Sequence, residues 1–311
     1  MRRGRAFWLA AAAVAASLAL AAVAGAAVSY GPPAGGPDLS TMAFATTDFP
    51  GASVDHQGYV KPSTGFKAEY DREFGPGARL GGKTLLAAED DVNYAASPAT
   101  AESYLSIFKL GIALAGDRIA DAFAKGSGIK LTYSKVGHPT LLHAGNDSFA
   151  VVIRLGTKAG ELRFVMAVVR VGQVDSTFFF VGAPRANVGV PLAKTLGLLA
   201  VKKVRQGLAP SAAGVPAVTG TAQSGQVLTA SQGTWNQAPT AYAVQWRRCD
   251  ASGANCADIP GATASTYTVT DADVGSTIVV AVTATNAWGS SSADSAPTAV
   301  VVAAAPPPTT T

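Results

Sequence analysis

Carboxylates gather twice in the first half of the chain. Glu69, Asp71 and Glu73 recur at every second position, and Glu89, Asp90 and Asp91 form a second group soon after. Paired carboxylates can hydrolyse a glycosidic bond, one giving a proton to the leaving group while the other attacks or activates water. They can also hold calcium, which takes hard oxygen ligands. A solvated strand face at Glu69–Glu73 and a polar turn at Glu89–Asp91 explain the same residues, and no catalytic role is assigned to them. Gly77-Ala-Arg-Leu-Gly-Gly82-Lys83-Thr84 satisfies the nucleotide-binding P-loop pattern. That loop needs a buried strand before it and a helix after it, so that backbone N–H groups face phosphate. Here Arg72-Glu73-Phe74-Gly75-Pro76 precedes it and a strand-like Leu85–Asp91 follows, so a turn between two strands is expected and no cofactor. The three histidines, His56, His138 and His143, are scattered, and zinc favours close His or Cys groupings; no metal site is expected. No Gly-x-Ser-x-Gly elbow offers a serine nucleophile. Trp235 and Trp288 could stack on sugars, or plug the ends of a β-structure. Cys249 and Cys256 are the only cysteines. In an exported chain a close even pair reads as a disulfide, with two free thiols as the other reading.

Whether the chain is exported turns on its first residues. Met1, Arg2, Arg3, Gly4 and Arg5 are followed by an unbroken small and apolar run from Ala6 to Ala27 with no acid in it. A cationic start, an apolar middle and small residues at the end describe a secretory signal peptide. Ala22-Val23-Ala24 and Ala24-Gly25-Ala26 offer small-x-small cleavage sites, and the cut is expected after Ala26 or Ala27. The competing reading is a retained anchor, since about 20 apolar residues can span a bilayer. The run is mostly alanine, however, and is short of the leucine and isoleucine that drive retention. The signal is then the chain's one contact with a membrane. Arg2, Arg3 and Arg5 leave with it, so the formal charge of +4 falls by three to +1. A near-neutral chain has no electrostatic footprint for nucleic acid.

The remainder divides by composition. Residues 28–39 read as a flexible spacer, 40–207 as a mixed α and β domain, 208–216 as a linker, 217–302 as an all-β domain and 303–311 as a disordered tail. In the first domain Phe66, Ala68 and Tyr70 alternate with Lys67, Glu69 and Asp71, which predicts a half-buried strand. Ser97-Pro98 then starts a helix, serine as N-cap and proline at the first helical position. Ala101, Tyr104, Leu105, Phe108, Ile112, Ala115, Ile119 and Phe123 keep one face of it, and Gly126-Ser127-Gly128 ends it. Strands follow near 149–155, 161–171 and 174–181, the last two joined through Gly172-Gln173 in a tight hairpin. Pro191 opens a second helix, which Gly207 would cap. The order predicts an α+β domain, an antiparallel sheet with packed helices. In the second domain short strands are expected near 227–230, 241–248, 265–270, 276–286 and 296–302, which indicates a β-sandwich.

The residues of the second domain carry a resemblance. Gly220-Thr-Ala-Gln-Ser-Gly-Gln-Val-Leu-Thr, Gly233-Thr-Trp235, Gln245-Trp246-Arg247-Arg248-Cys249-Asp250, Gly253-Ala-Asn-Cys256, Tyr267-Thr-Val-Thr, Asp273-Val-Gly275 and Val282-Thr-Ala-Thr-Asn286-Ala-Trp-Gly289 together resemble a bacterial immunoglobulin-like module of secreted actinobacterial proteins. The resemblance implies that Trp246 is the buried tryptophan of its strand, that Cys249 and Cys256 tie the hairpin after it, and that Asp273-Val-Gly275 turns into the next core strand. The inter-sheet cysteine pair of antibody domains is absent. Modules of this kind serve as spacers, adhesion units or sugar-binding attachments. In the first domain Thr47-Asp48-Phe49-Pro50-Gly51-Ala52, Gln57-Gly58-Tyr59-Val60, Glu69-Tyr70-Asp71-Arg72-Glu73-Phe74 and Arg170-Val-Gly172 look like an actinobacterial envelope domain. Its layout is similar to the extracytoplasmic sensor domain of a mycobacterial serine/threonine kinase and to related lipoproteins, which implies a ligand cleft between sheet and helices. Those sensors carry disulfides, whereas this domain has no cysteine.

The expectation is therefore a secreted or envelope-associated, non-enzymatic binding or adhesion protein. Its α+β domain would take a small or apolar ligand, a polysaccharide or an envelope partner, and its immunoglobulin-like domain would act as a spacer or adhesion unit. The alternative is a secreted hydrolase with an accessory domain. Carboxylates converging in a cleft would favour the hydrolase, and an apolar cleft would favour binding.

Overall fold

The computed structural model describes residues 30–33, 36–127, 130–158, 160–182 and 186–305, and only the backbone of 113–127. The expected signal peptide lies outside the described residues. So do parts of the spacer and tail, and the side chains of Ala115, Ile119 and Phe123. Strands dominate the described residues, which hold two α-helices and several sheets. The chain divides into two compact units, the first holding Asp38–Gly207 and the second holding Leu208 onward.

The first unit is built on strands β1 (Val54–Val60), β2 (Phe66–Phe74), β3 (Arg79–Leu80), β4 (Lys83–Ala95), β5 (Leu131–Val136), β6 (Thr140–Leu141), β7 (Asp147–Thr157), β8 (Gly160–Val171) and β9 (Val174–Gly182). All pair antiparallel in one sheet of order β1-β2-β4-β9-β8-β7-β5, with β3 beside β4 and β6 beside β7. Helix α1 (Pro98–Ser127) starts where Ser97 Oγ accepts the Thr100 amide at 3.1 Å, the N-cap that Ser97-Pro98 predicts. It runs unbroken through Gly111 and lies along β4, β9, β8 and β5. Leu105, Phe108 and Ile112 pack there on Phe149, Val151, Ile153, Phe164, Met166 and Val168. Leu39–Thr41 forms a short 3-10 helix, and helix α2 (Val190–Leu208) lies on the opposite side of the sheet, where its Gly197 stands close to Val169 and Leu142. On that side Phe44 meets Phe49 and Phe178 edge-on, centroids 5.5 Å apart in both pairs, and Phe49 meets Phe74 at 4.7 Å.

Three expectations for this unit change. Phe66 does not share a face with Ala68 and Tyr70. A β-bulge between Phe66 and Ala68 breaks the period of two, and the Phe66 ring meets Tyr104 of α1 at 5.0 Å. Glu89–Asp91 is not a polar turn but the middle of β4. Gly207 is not a cap, since α2 continues to Leu208; Met42 approaches so closely that a Cβ at Gly207 would stand 2.6 Å from its Cε. The P-loop-like segment is a β3–β4 hairpin turning at Gly81 and Gly82, both at positive φ (54° and 74°), a conformation that glycine adopts without penalty.

The second unit holds β10 (Ser211–Gly214), β11 (Val218–Thr219), β12 (Val227–Ala230), β13 (Thr234–Asn236), β14 (Ala241–Cys249), β15 (Ala257–Asp258), β16 (Thr266–Thr268), β17 (Thr277–Asn286) and β18 (Gly289–Asp294). They form sheets of order β15-β14-β17-β18, β11-β12-β16 and β10-β13. Leu228 of β12, Trp246 of β14 and Ile278, Val280 and Val282 of β17 share one core with Val269 and Val301. The strand expected at 296–302 is reduced to a single bridge between Val302 and Gln223. On the side away from β14, β17 pairs with β18, whose Ser-rich sequence carries no alternating apolar signal.

Candidate functional site

Residues directly opposite in an antiparallel ladder point to the same face, with Cβ atoms about 4.5–5.5 Å apart. On the α1 side of the first unit this places side chains in three rows across the sheet. From β1 to β7 the first row reads Val60, Glu69, Asn93, Asp175, Arg170, Asp147. The second reads Gly58, Asp71, Asp91, Thr177, Val168, Phe149. The third reads His56, Glu73, Glu89, Phe179, Met166, Val151. The face therefore changes character strand by strand. Its β7 and β8 columns are mostly apolar and lie under α1. Its β2 and β4 columns are acidic and half-buried, and one carboxylate oxygen each of Asp71 and Asp91 is buried with no hydrogen-bond partner among the described residues.

Asp90 does not belong to this face. It points to the other side, fully buried, accepting the Phe44 amide at 2.7 Å and the Ser176 hydroxyl at 3.0 Å. Of the two carboxylate groups expected from sequence, five members converge and the sixth is structural. Sequence reasoning missed Asp175, Thr177 and Tyr104. Asp175 and Thr177 alternate with Val174, Ser176 and Phe178 in an otherwise apolar strand, and a charged residue in such a run is the signal that could have found them.

Crowding and burial set the electrostatics. Burial raises the Asp71 carboxyl to about 7, with the Glu69 charge adding to the effect. Burial raises Glu89 to about 8, and Glu73 and Asp71 push the same way. Asp91 is driven well above the usual carboxylate range by burial and then by Glu89, Asp71 and Glu69. Burial lifts Asp175 to about 8, and Arg170 only partly offsets it. Burial raises Glu69 and Glu73 too, against partners that hold them down. Ser63 donates its amide and hydroxyl to Glu69 at 3.0 and 3.1 Å, and His56 faces Glu73. Asp71 and Asp91, and Glu89 and Asp91, are close enough to share protons. Tyr104 leans over this group, stacked on Phe108 at 5.9 Å, and its phenol is raised by burial and by Asp91, Glu69 and Asp175. Such a face stores protons near neutral pH, attracts cations, and offers carboxylic acids able to donate a proton.

Asp175 stands apart from the rest. It is fully buried, and neither of its carboxylate oxygens has a hydrogen-bond partner among the described residues; the hydroxyl of Thr177, 3% exposed, also lacks one. Among the described residues no three His, Cys, Asp or Glu side chains are spaced to hold a metal ion. His56, His138 and His143 are all exposed and lie on separate segments.

In the second unit Cys249 and Cys256 form a disulfide across the β14–β15 hairpin. Trp246 is fully buried and donates its indole N–H to the Ala264 carbonyl at 2.9 Å. Trp235 packs against the same core and bonds the Gln232 carbonyl, and Trp288 is half-buried. Asp273, fully buried, accepts from Arg248 Nε at 2.7 Å, Tyr267 at 2.7 Å and Thr270. These contacts hold a turn together and leave the carboxylate no free valence. No described helix is long and apolar enough to cross a membrane.

No family model matches the chain, and no curated protein matches it. Among solved structures, the crystal structure of the extracellular domain of PknH from Mycobacterium tuberculosis is similar over 46% of this chain and 66% of that one, at 10% identity and a TM-score of 0.29. The chain thus spans just under two thirds of that domain's length.

Proposed function

We propose that this is an exported, non-enzymatic binding protein whose first unit carries a ligand surface on the acidic columns of its sheet. The observation that carries the reading is Asp175, a buried carboxylate with no hydrogen-bond partner among the described residues and Arg170 as its one cationic ladder neighbour, on a face with five further carboxylates. A buried ionisable group left unpaired is costly, and groups that a protein keeps in that condition mark functional sites. The acidity of the face turns the reading away from an apolar ligand and toward a polar one. Export is supported by the cationic and apolar first residues and by the disulfide, which persists in oxidising surroundings. The second unit is read as an immunoglobulin-like sandwich serving as a spacer or adhesion unit. Support comes from its two main sheets, which contribute to one core around Trp246.

Mass spectrometry of the native protein, recovered from the culture medium or envelope, tests this reading. The expected result is a chain beginning at Ala27 or Val28, bridged cysteines, and a small molecule that stays bound under native conditions. An unprocessed chain with reduced thiols would overturn it.

A hydrolase is the second reading, favoured by Asp71 opposite Asp91 and Glu73 opposite Glu89. Paired carboxyls with raised proton affinity are the equipment of acid-assisted glycoside hydrolysis. Release of reducing ends from a cell-wall polysaccharide, abolished by Glu89→Gln, would establish it.

A further inference from the structure

Resting on the binding reading above, we propose that the ligand of the acidic face is an organic polycation, an amine or guanidinium compound with at least two positive centres. The rows supply the argument. Glu69, Asp71 and Glu73 on β2, Glu89 and Asp91 on β4, and Asp175 on β9 bring six carboxylates onto one face. Its basic side chains are Arg170 beside Asp175, His56 at the β1 edge, and Lys109 of α1, which is held 4.0 Å from Asp147. In the centre Asp71 faces Asp91 in a row with no basic side chain, and Glu73 and Glu89 share their row with one, His56 at the β1 edge.

A single metal ion fits this arrangement poorly, because its ligands must crowd within 2.0–2.6 Å of one point. The described carboxylates are not spaced to do so. They are spread along strands instead, and successive rows stand about 7 Å apart. That is the scale on which a short alkyl chain separates two nitrogens. Ammonium and guanidinium groups also carry several N–H donors each. They could therefore satisfy the unpartnered oxygens of Asp175 and the Thr177 hydroxyl together. The aromatic side chains fit the same chemistry. Phe66 meets Tyr104 edge-on, their planes 87° apart, so rings of different orientation border the carboxylates. Ring faces attract cations.

The test is isothermal titration calorimetry of the mature full-length protein with spermidine. Asp91→Asn and Asp175→Asn are the informative variants, Asp258→Asn in the second unit is the control, and melting temperature checks that each is folded. Asp71→Asn replaces Asp175→Asn should that variant unfold. The expected result is saturable binding, weakened at least tenfold by Asp91→Asn and by the second variant, and unchanged by Asp258→Asn. Binding that the face variants leave unchanged overturns the proposal, since the attraction would then be diffuse. Calcium or chitotetraose binding in an Asp91-dependent way while spermidine does not would overturn the polycation and leave the binding reading standing. Failure of all three probes, together with no molecule retained by the native protein, would remove both.

Discussion

Asp71, Glu89 and Asp175 hold their protons to about pH 7, 8 and 8, and Asp90 to about 6, each because burial disfavours the charged form. In the unfolded chain the same groups release protons near their ordinary values, 3.8 for Asp and 4.5 for Glu. Between these limits the folded state binds more protons than the unfolded state, so stability falls as pH rises. Their contribution is fully present below about pH 4 and lost through about pH 8, at roughly 1.4 kcal/mol per unit of displacement before solvent screening reduces it. Asp38, Asp250 and Asp273 are displaced downward, and their opposite slope acts below the ordinary carboxylate range. The melting temperature of the ligand-free protein should therefore drop steadily from pH 4.5 to pH 8.5. Asp175→Asn should flatten that drop and raise the melting temperature at pH 8.5, because an amide has no charge to bury. A melting temperature that climbs across the window would contradict the assignment. The two acidic groups were readable in the sequence, but the exclusion of Asp90 was only half readable. Alternation puts neighbours on opposite faces, whereas what awaits Asp90 there, the Phe44 amide and the Ser176 hydroxyl, comes from distant segments.

Among the elements, turns and bulges decide where these side chains stand. Gly145 has φ 66°, and a Cβ there would come within 2.3 Å of the Arg170 carbonyl oxygen, part of the backbone. The adjacent Asn146 amide bonds that same oxygen at 2.7 Å, fixing the end of the β7–β8 ladder. Gly145→Ala should lower stability by more than about 1 kcal/mol, measured by urea denaturation of the full chain. In the second unit the β14–β15 hairpin is closed by Cys249 and Cys256. Replacing both by serine should cost that unit about 2–3 kcal/mol on the chain-entropy account of so short a loop. Trp235, Trp246 and Trp288 all lie there, and the remaining tryptophan, Trp8, is in the expected signal, so tryptophan fluorescence in denaturant reports the loss directly. An unchanged midpoint would show that the bridge adds nothing. Helix α1 and strands β7 to β9 could be drawn from periodicity and from Gly172 alone. The bulge at Phe66 could not, because a bulge is an extra residue in one strand relative to its partner and leaves no mark on either strand alone.

At the scale of the whole chain, two compact units follow one another, and the proposed chemistry lies in the first while the disulfide lies in the second. The amino-acid sequence by itself determined β2, both helices and the run β7 to β9 of the first unit, though not β1, β5 or β6. It also determined the hairpin that makes Gly77–Thr84 a turn rather than a phosphate cradle and, as the favoured reading, the bridge between Cys249 and Cys256. Those are local matters, governed by periods of two and 3.6 residues, by glycine at positive φ, and by two cysteines standing close together in an exported chain. Tertiary structure alone decided which carboxylates meet. Strand β9 is far along the chain from β2 and β4, and the register of all three is fixed by ladders and bulges across the sheet. A one-residue slip would have turned each strand's acids to the other face. The same long-range pairing brought Asp175 and Thr177 beside Asn93 and Asp91. It thereby made one acidic surface from three segments that, read singly, look like ordinary half-buried strands.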